Sequence, residues 1–258
     1  MAWNIEQAQD YVGQISLTGT PRGIVQQDAS EEAGEVFNKA KAQAQVVGSG
    51  VFSFAVGVTP EVREAISDSA LLAQLVANKR VDFETAPRDW FKQYAEVLQN
   101  VGWVVQDMSF QDYSASGTSA HVHEKILDVV TAALAPAAGA LAIITASINA
   151  LKAMKPESSW ITIFERESRK ARIARFQIGL VEQDENAQVF VSLLVCVITA
   201  KDDLTQVLLF KFRDSQATFE ATSGKVSVNR NALVDLGPII RNKVKNYMAD
   251  YLSSIQDI

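Results

Sequence analysis

The sequence predicts an α+β fold: a single domain in which an antiparallel β-sheet meander is covered by helices on both faces, a three-layer α/β/α arrangement. Three observations carry this. Strand-like runs follow one another after Trp160 with short polar turns between them. Such neighbours pair antiparallel, because a parallel return needs a crossover of about a dozen residues. One run, Ala187–Ala200 (AQVFVSLLVCVITA), carries Val189, Val191, Leu193, Val195 and Val197 on one face and Phe190, Ser192, Leu194, Cys196 and Ile198 on the other. Both faces are apolar, so neither can be left to water. The residues before Pro156 read largely as helices, and helices are the available cover.

Taken in order, residues 1–30 read as a polar, irregular arm with turn chemistry at Thr18–Gly23. A helix is predicted from Ser30 to Gln45, capped by Ser30 with Glu31 and Glu32 in its first turn. Gly48–Val58 (GSGVFSFAVGV) reads as a strand. Thr59-Pro60-Glu61 opens a helix with Val62, Ala65, Ile66, Leu72, Leu75 and Val76 at helical spacing. Pro87 opens another, whose stripe is Trp90, Phe91, Tyr94, Val97, Leu98 and Val101 and whose stop is Gly102. Trp103–Tyr113 reads as a strand and Ser114–Ala120 as a loop, and a long helix is expected over about 122–154, ended by Lys155-Pro156.

After that the period changes. WITIF (Trp160–Phe164), Ala171–Gln183, Ala187–Ala200, Thr205–Arg213, and the pair QATFEAT and KVSVN joined at Ser223-Gly224 read as strands. A closing helix is expected from Arg230 to Ile255, with Leu233, Leu236, Ile240, Val244, Tyr247, Tyr251 and Ile255 inward and Arg241, Lys243 and Lys245 wet. No repeat or low-complexity linker divides residues 1–258. The expected layout is one domain: a helix-rich half over about 30–155, a meander over about 160–229 and a C-terminal helix over about 230–255.

The most unusual stretch is 129–151, VVTAALAPAAGALAIITASINAL, with no charge in a chain that is 21% charged. As a helix rising about 1.5 Å per residue it would be roughly 35 Å long, against a hydrocarbon core of about 30 Å. Val129, Leu134, Leu141, Ile143, Ile144, Ile148 and Leu151 supply its apolar mass, while Pro136 and Gly139 give it a place to bend. Its alanines contribute little to membrane insertion. Two roles stay open: a core helix packed on all sides, or a helix stored in a soluble fold and released at a membrane.

Composition narrows the function. A net charge of −6 argues against nucleic acid as a partner. A lone cysteine excludes an intrachain disulfide or a multi-cysteine metal site. The start, MAWNIEQAQDYVGQ, carries no basic region followed by an apolar run. The expectation is a chain made in the cytoplasm without a signal peptide and acting outside the cell only after release.

Catalytic signatures are missing: there is no nucleophile elbow, phosphate loop or dinucleotide fingerprint. His121 and His123 have a spacing that could hold a metal, but no third histidine exists and a solvated loop pair is the plainer reading. Cys196 is either an inert core thiol or the point of attachment of a fatty acyl group. Asp202 and Asp203 share a turn and read as solvated. Arg241, Lys243 and Lys245 could touch anionic head groups, though three charges make a weak patch.

Two resemblances rest on these residues. WITIF, ARFQIGLVEQDENAQVFVSLLVCVITA and TQVLLFKFRDSQATFEA, from Trp160 to Thr222, resemble the strand run of the Cyt-type cytolytic δ-endotoxins, with Arg213-Asp214-Ser215 at the family's K-D-S-like triplet. That resemblance implies one α/β domain with helix hairpins around an antiparallel sheet, and membrane permeabilisation once the helices move away. The missing signal, the single cysteine in a buried strand and the interlaced elements are similar to the Erwinia virulence factor family. That resemblance implies a soluble insect-gut virulence protein with an acyl group on a cysteine, a role only Cys196 could take. The expected function is therefore a membrane-active bacterial toxin or virulence protein, not an enzyme. Its expected partners are host membrane lipids and further copies of itself on the membrane. An acyl-carrying or lipid-binding protein is the alternative, and an unrecognised enzyme the second.

Overall fold

The structure is a computed structural model that describes residues 4–18, 40–105, 111–113, 128, 159–201, 203–204 and 217–255, without the side chains of 111–113, 159–160 and 254–255. The chain runs α1 (Ile5–Gln14), β1 (Gln43–Val47), β2 (Gly50–Phe54), α2 (Pro60–Arg80), α3 (Pro87–Asn100), β3 (Trp103–Val104) and β4 (Gln111–Tyr113). It continues through α4 (Ser159–Ser168), β5 (Arg169–Lys170), β6 (Ile173–Gln183), β7 (Val189–Ala200), β8 (Ala217–Val228), α5 (Arg230–Val244), α6 (Met248–Tyr251) and β9 (Leu252–Ile255).

The strands form one sheet in the order β3-β8-β7-β6-β2-β1-β9, with β4 also on β8 and β5 on β6. The meander is β6-β7-β8, antiparallel throughout. Asp184 closes the β6–β7 turn, its carboxylate accepting from the amides of Asn186 and Gln188 at 2.9 and 2.8 Å. The β1–β2 hairpin docks on β6 with β2 parallel to it, so the sheet is mixed rather than purely antiparallel. The crossover condition for a parallel pair is met, since α2, α3 and α4 all lie between β2 and β6 in the chain.

The two faces of the sheet are covered differently. On the first, Phe52, Phe54, Val181, Val191, Leu193, Val195, Val197 and Val226 join one core with side chains of α1, α2, α3 and α5. On the second, α4 lays Phe164 against Phe176 of β6, with ring centroids 6.1 Å apart, over buried Ile178, Leu194 and Cys196. The layered α+β arrangement expected from the doubly apolar β7 is the one observed.

At the centre of the first layer is α2, buried at every position from Ala65 to Ala77. A helix buried on all sides is normally apolar all round. This one also carries Arg63, Ser67, Asp68, Ser69 and Gln74 among its buried residues, each a polar group that must be satisfied inside the protein. Arg63 is well partnered: its Nε donates to the Val58 carbonyl at 2.9 Å, and its guanidinium also binds Gln43 Oε1 and the carbonyls of Lys41 and Ala55.

Several expectations are corrected. WITIF is helical, forming the first turns of α4: Ile163 and Phe164 are buried together and Ser168 follows Phe164 at i+4. A β-branched run of this length is compatible with either period, and the surrounding packing decides. Gln43–Val47 is a strand, not the tail of a helix from Ser30. Residues 5–14 are a helix, whose Asn4 side chain accepts from the Glu6 amide at 2.8 Å. The strand expected over 48–58 is shorter, because Gly48 turns the β1–β2 hairpin at φ +51°. Ser223-Gly224 is no turn: both residues lie within β8, opposite Leu194 and Leu193. The closing helix stops at Val244, after which α6 and then β9 complete the chain, with β9 pairing antiparallel to β1. Trp103–Tyr113 contains two short pieces, β3 and β4, both on β8. The expected helix over 122–154 and the strand over 205–213 lie outside the described residues, apart from the single position Asp128.

Candidate functional site

Cys196 sits in the middle of β7 on the second face, fully buried, with Phe176 and Ala221 opposite it on β6 and β8. Burial pushes its thiol well above the ordinary value, which keeps it protonated. A protonated thiol in an apolar layer is a poor nucleophile. In the folded state, then, Cys196 packs as a small hydrophobe, and any chemistry at its sulfur requires access that this packing closes.

The first face carries a different and more unusual feature. Arg175 of β6, 1% exposed, points into the interface between sheet and helices. Its Nη1 donates to Ser49 Oγ in the β1–β2 turn at 2.7 Å, and its Nη2 donates to Asn78 Oδ1 of α2 at 2.7 Å. Its guanidinium lies 3.5 Å from the ring centroid of Trp90 in α3 and 4.3 Å from that of Phe83, a cation held against two aromatic rings. Every one of these partners is neutral, and its Nε has none. Burial therefore lowers its pKa, with the charge of Glu167 opposing the shift. A guanidinium stays protonated at neutral pH even so. Taking such a cation out of water costs several kcal/mol, against which stand the two hydrogen bonds and the two ring contacts.

Around Arg175 the polar groups interlock. Gln74 of α2 accepts from the Ser49 amide through Oε1 at 2.9 Å and donates through Nε2 to the Val47 carbonyl at 2.7 Å. Asn78 Oδ1 also accepts from Trp90 Nε1 at 2.8 Å. Ser49 Oγ lies within hydrogen-bonding reach of Gln74 Oε1 at 3.2 Å and Gln177 Oε1 at 3.3 Å. The cluster joins β6, the β1–β2 turn, α2 and α3 at one point. It was missed in the sequence, although a signal existed. Arg175 and Gln177 pair with Val197 and Val195, so they share the face that the apolar valines already require to be buried.

The remaining candidates divide plainly. Val129, Leu134, Pro136, Gly139, Leu141, Ile143, Ile144, Ile148, Leu151, His121 and His123 lie outside the described residues, as does Asp202. Asp203 is exposed and lies 3.7 Å from Arg172. Of the three basic residues expected to stay wet on the last helix, Lys245 is exposed and the other two are engaged: Arg241 binds Glu64 at 2.8 Å and Asp68 at 2.9 Å. Lys243 donates to the carbonyls of Gly13 and Ile15 at 3.1 and 2.8 Å, fastening α1 to α5. Among the described residues no cluster of three or more His, Cys, Asp or Glu side chains could hold a metal. No helix among them is long and apolar enough to cross a membrane.

No protein-family model and no curated protein sequence matches the chain. Solved structures do. A δ-endotoxin matches with a TM-score of 0.41 and 12% identity, over 69% of this chain and 79% of its own. The activated Cyt2Ba monomer from Bacillus thuringiensis subsp. israelensis matches with a TM-score of 0.38 and 15% identity, over 69% and 96%. The Evf virulence factor matches with a TM-score of 0.33 and 12% identity, over 98% and 92%. At these scores the likeness is one of fold and carries no residue-level or functional argument.

Proposed function

We propose that the chain is a membrane-active bacterial toxin or virulence protein, soluble until it meets a host membrane, the insect gut being the expected site, which it then permeabilises. The observation that carries the proposal is the uncharged stretch 129–151 in a chain that is 21% charged. At about 1.5 Å per residue it has the length to cross a bilayer core. A layered fold in which helices cover both faces of a sheet offers somewhere to store such a segment and a way to release it. Release of a trapped dye from phosphatidylcholine–phosphatidylglycerol vesicles tests this. Permeabilisation at some pH between about 5 and 10 is expected, and intact vesicles throughout would remove the proposal.

The alternative is a lipid carrier with a fatty acyl group in thioester linkage to Cys196. What favours it is the placement of the one cysteine in an apolar layer between sheet and helix, which would have to open to admit an acyl chain. The intact mass of protein from its native host decides: an unmodified mass excludes covalent attachment.

A further inference from the structure

We propose that Arg175 is a release latch between the helix layer and the sheet, registering the two in the closed fold while making the closed fold easier to open. It has the first property because its two hydrogen bonds and two ring contacts reach the β1–β2 turn, α2, Phe83 in the α2–α3 loop and α3 from β6. It has the second because a buried cation whose hydrogen-bond and ring partners are all neutral regains its hydration when the layers part. Two features set it apart from a structural ion pair. Its neighbours depend on it only in part: Asn78 Oδ1 keeps the Trp90 indole, and the Ser49 hydroxyl can still donate to Gln74 or Gln177 Oε1 but loses Arg175 as its donor. An apolar side chain of similar length would therefore leave one acceptor without a donor, the neutral Ser49 hydroxyl, and no unpaired charge. Its Nε and the Gln177 Nε2 on the same face of β6 have no protein acceptor, so neither of them ties the layers together.

The functional half of this inference rests on the permeabilising reading above; the energetic half does not. The test compares wild type with Arg175→Met and Arg175→Lys by thermal unfolding and by hydrogen exchange of the α2 amides in solution, then by dye release from the same vesicles. Arg175→Met is expected to raise Tm by about 3–8 °C, to slow exchange in α2 several-fold, and to slow dye release tenfold or more. Arg175→Lys, which keeps the charge but loses the flat ring contacts and one hydrogen bond, is expected to melt lower and release faster. An Arg175→Met protein that fails to fold, or melts at or below wild type, overturns the latch, because the cation would then be a net stabiliser. One that melts higher yet releases dye at the wild-type rate also overturns it, with the membrane reading intact. If wild type releases no dye, the membrane reading fails, and the Tm and exchange results still decide whether Arg175 holds the layers under tension.

Discussion

Arg241 Nε donates to Asp68 Oδ2 at 2.9 Å, tying α5 to the flank of the buried helix α2. The pair is lopsided: the Asp68 side chain is 3% exposed and that of Arg241 is 41%. Burial raises the Asp68 pKa, and Arg241 only partly restores it. Removing the arginine leaves a carboxylate buried with one of its oxygens already unpartnered. Arg241→Ala is expected to lose about 1–3 kcal/mol at pH 7, and Asp68→Asn less, because the amide carries no charge. The sign of the pH dependence follows. A carboxylate whose folded pKa is raised binds its proton more readily in the folded state, so the loss in Arg241→Ala is largest at neutral pH. It should shrink as pH falls toward the unfolded value near 4. Urea unfolding at pH 4 and pH 7 measures this, and a loss that grows on acidification would contradict it.

Burial also raises the pKa values of Cys196, Tyr94 and Tyr251. Each stays neutral in the folded chain at a pH where its unfolded counterpart ionises. Their stabilising contribution is present below the unfolded values, about 8.5 for cysteine and 10 for tyrosine, and is lost as pH rises above them. Stability should fall between pH 9 and 11 by up to about 1.4 kcal/mol per pH unit for each group. Tyr94→Phe should be near neutral at pH 7, since the Tyr94 hydroxyl is buried without a partner, and should flatten the alkaline decline. Thermal melts across that range check both.

The Cys196 thiol should not react with a thiol reagent in the native protein and should react fully once unfolded. Timed labelling with and without denaturant checks this. Native labelling at the rate of a free thiol would contradict the packing of β7 described above.

Gly179 of β6 lies under the Phe52 ring of β2, where a Cβ would approach Phe52 Cδ1 to 2.6 Å. Neither fully buried partner can move away cheaply, so Gly179→Ala is expected to cost about 1–3 kcal/mol. Pairing it with Phe52→Leu should recover part of that loss if the clash is the cause.

How far the fold is legible in the sequence depends on how local the signal is. The starts of α2 and α3 are written in Pro60 and Pro87, whose missing amides and fixed φ suit a first helical turn. The β6–β7 pair is written in an acidic turn between two apolar runs. What is not legible is decided by distant partners. Gln43–Val47 and Leu252–Ile255 are short and ordinary, and become strands because each pairs with the other and β1 is further held by β2. The β2–β6 contact joins segments more than a hundred residues apart, which no local pattern announces. Arg175 was hidden for a related reason. An arginine alternating with apolar residues suggests a wet face, and only its register against Val197 shows that the face is dry.

The central claim, that the stretch 129–151 enters a bilayer, is tested most directly by a fluorophore within it. Cys196→Ala removes the native thiol, and Ala142→Cys then places one environment-sensitive label in the middle of the stretch. On adding vesicles that the protein permeabilises, the label should brighten, shift to the blue and be quenched by lipids carrying a quencher deep in their acyl chains. Dye release with the label unshifted and unquenched would contradict the claim and assign permeabilisation to another part of the chain.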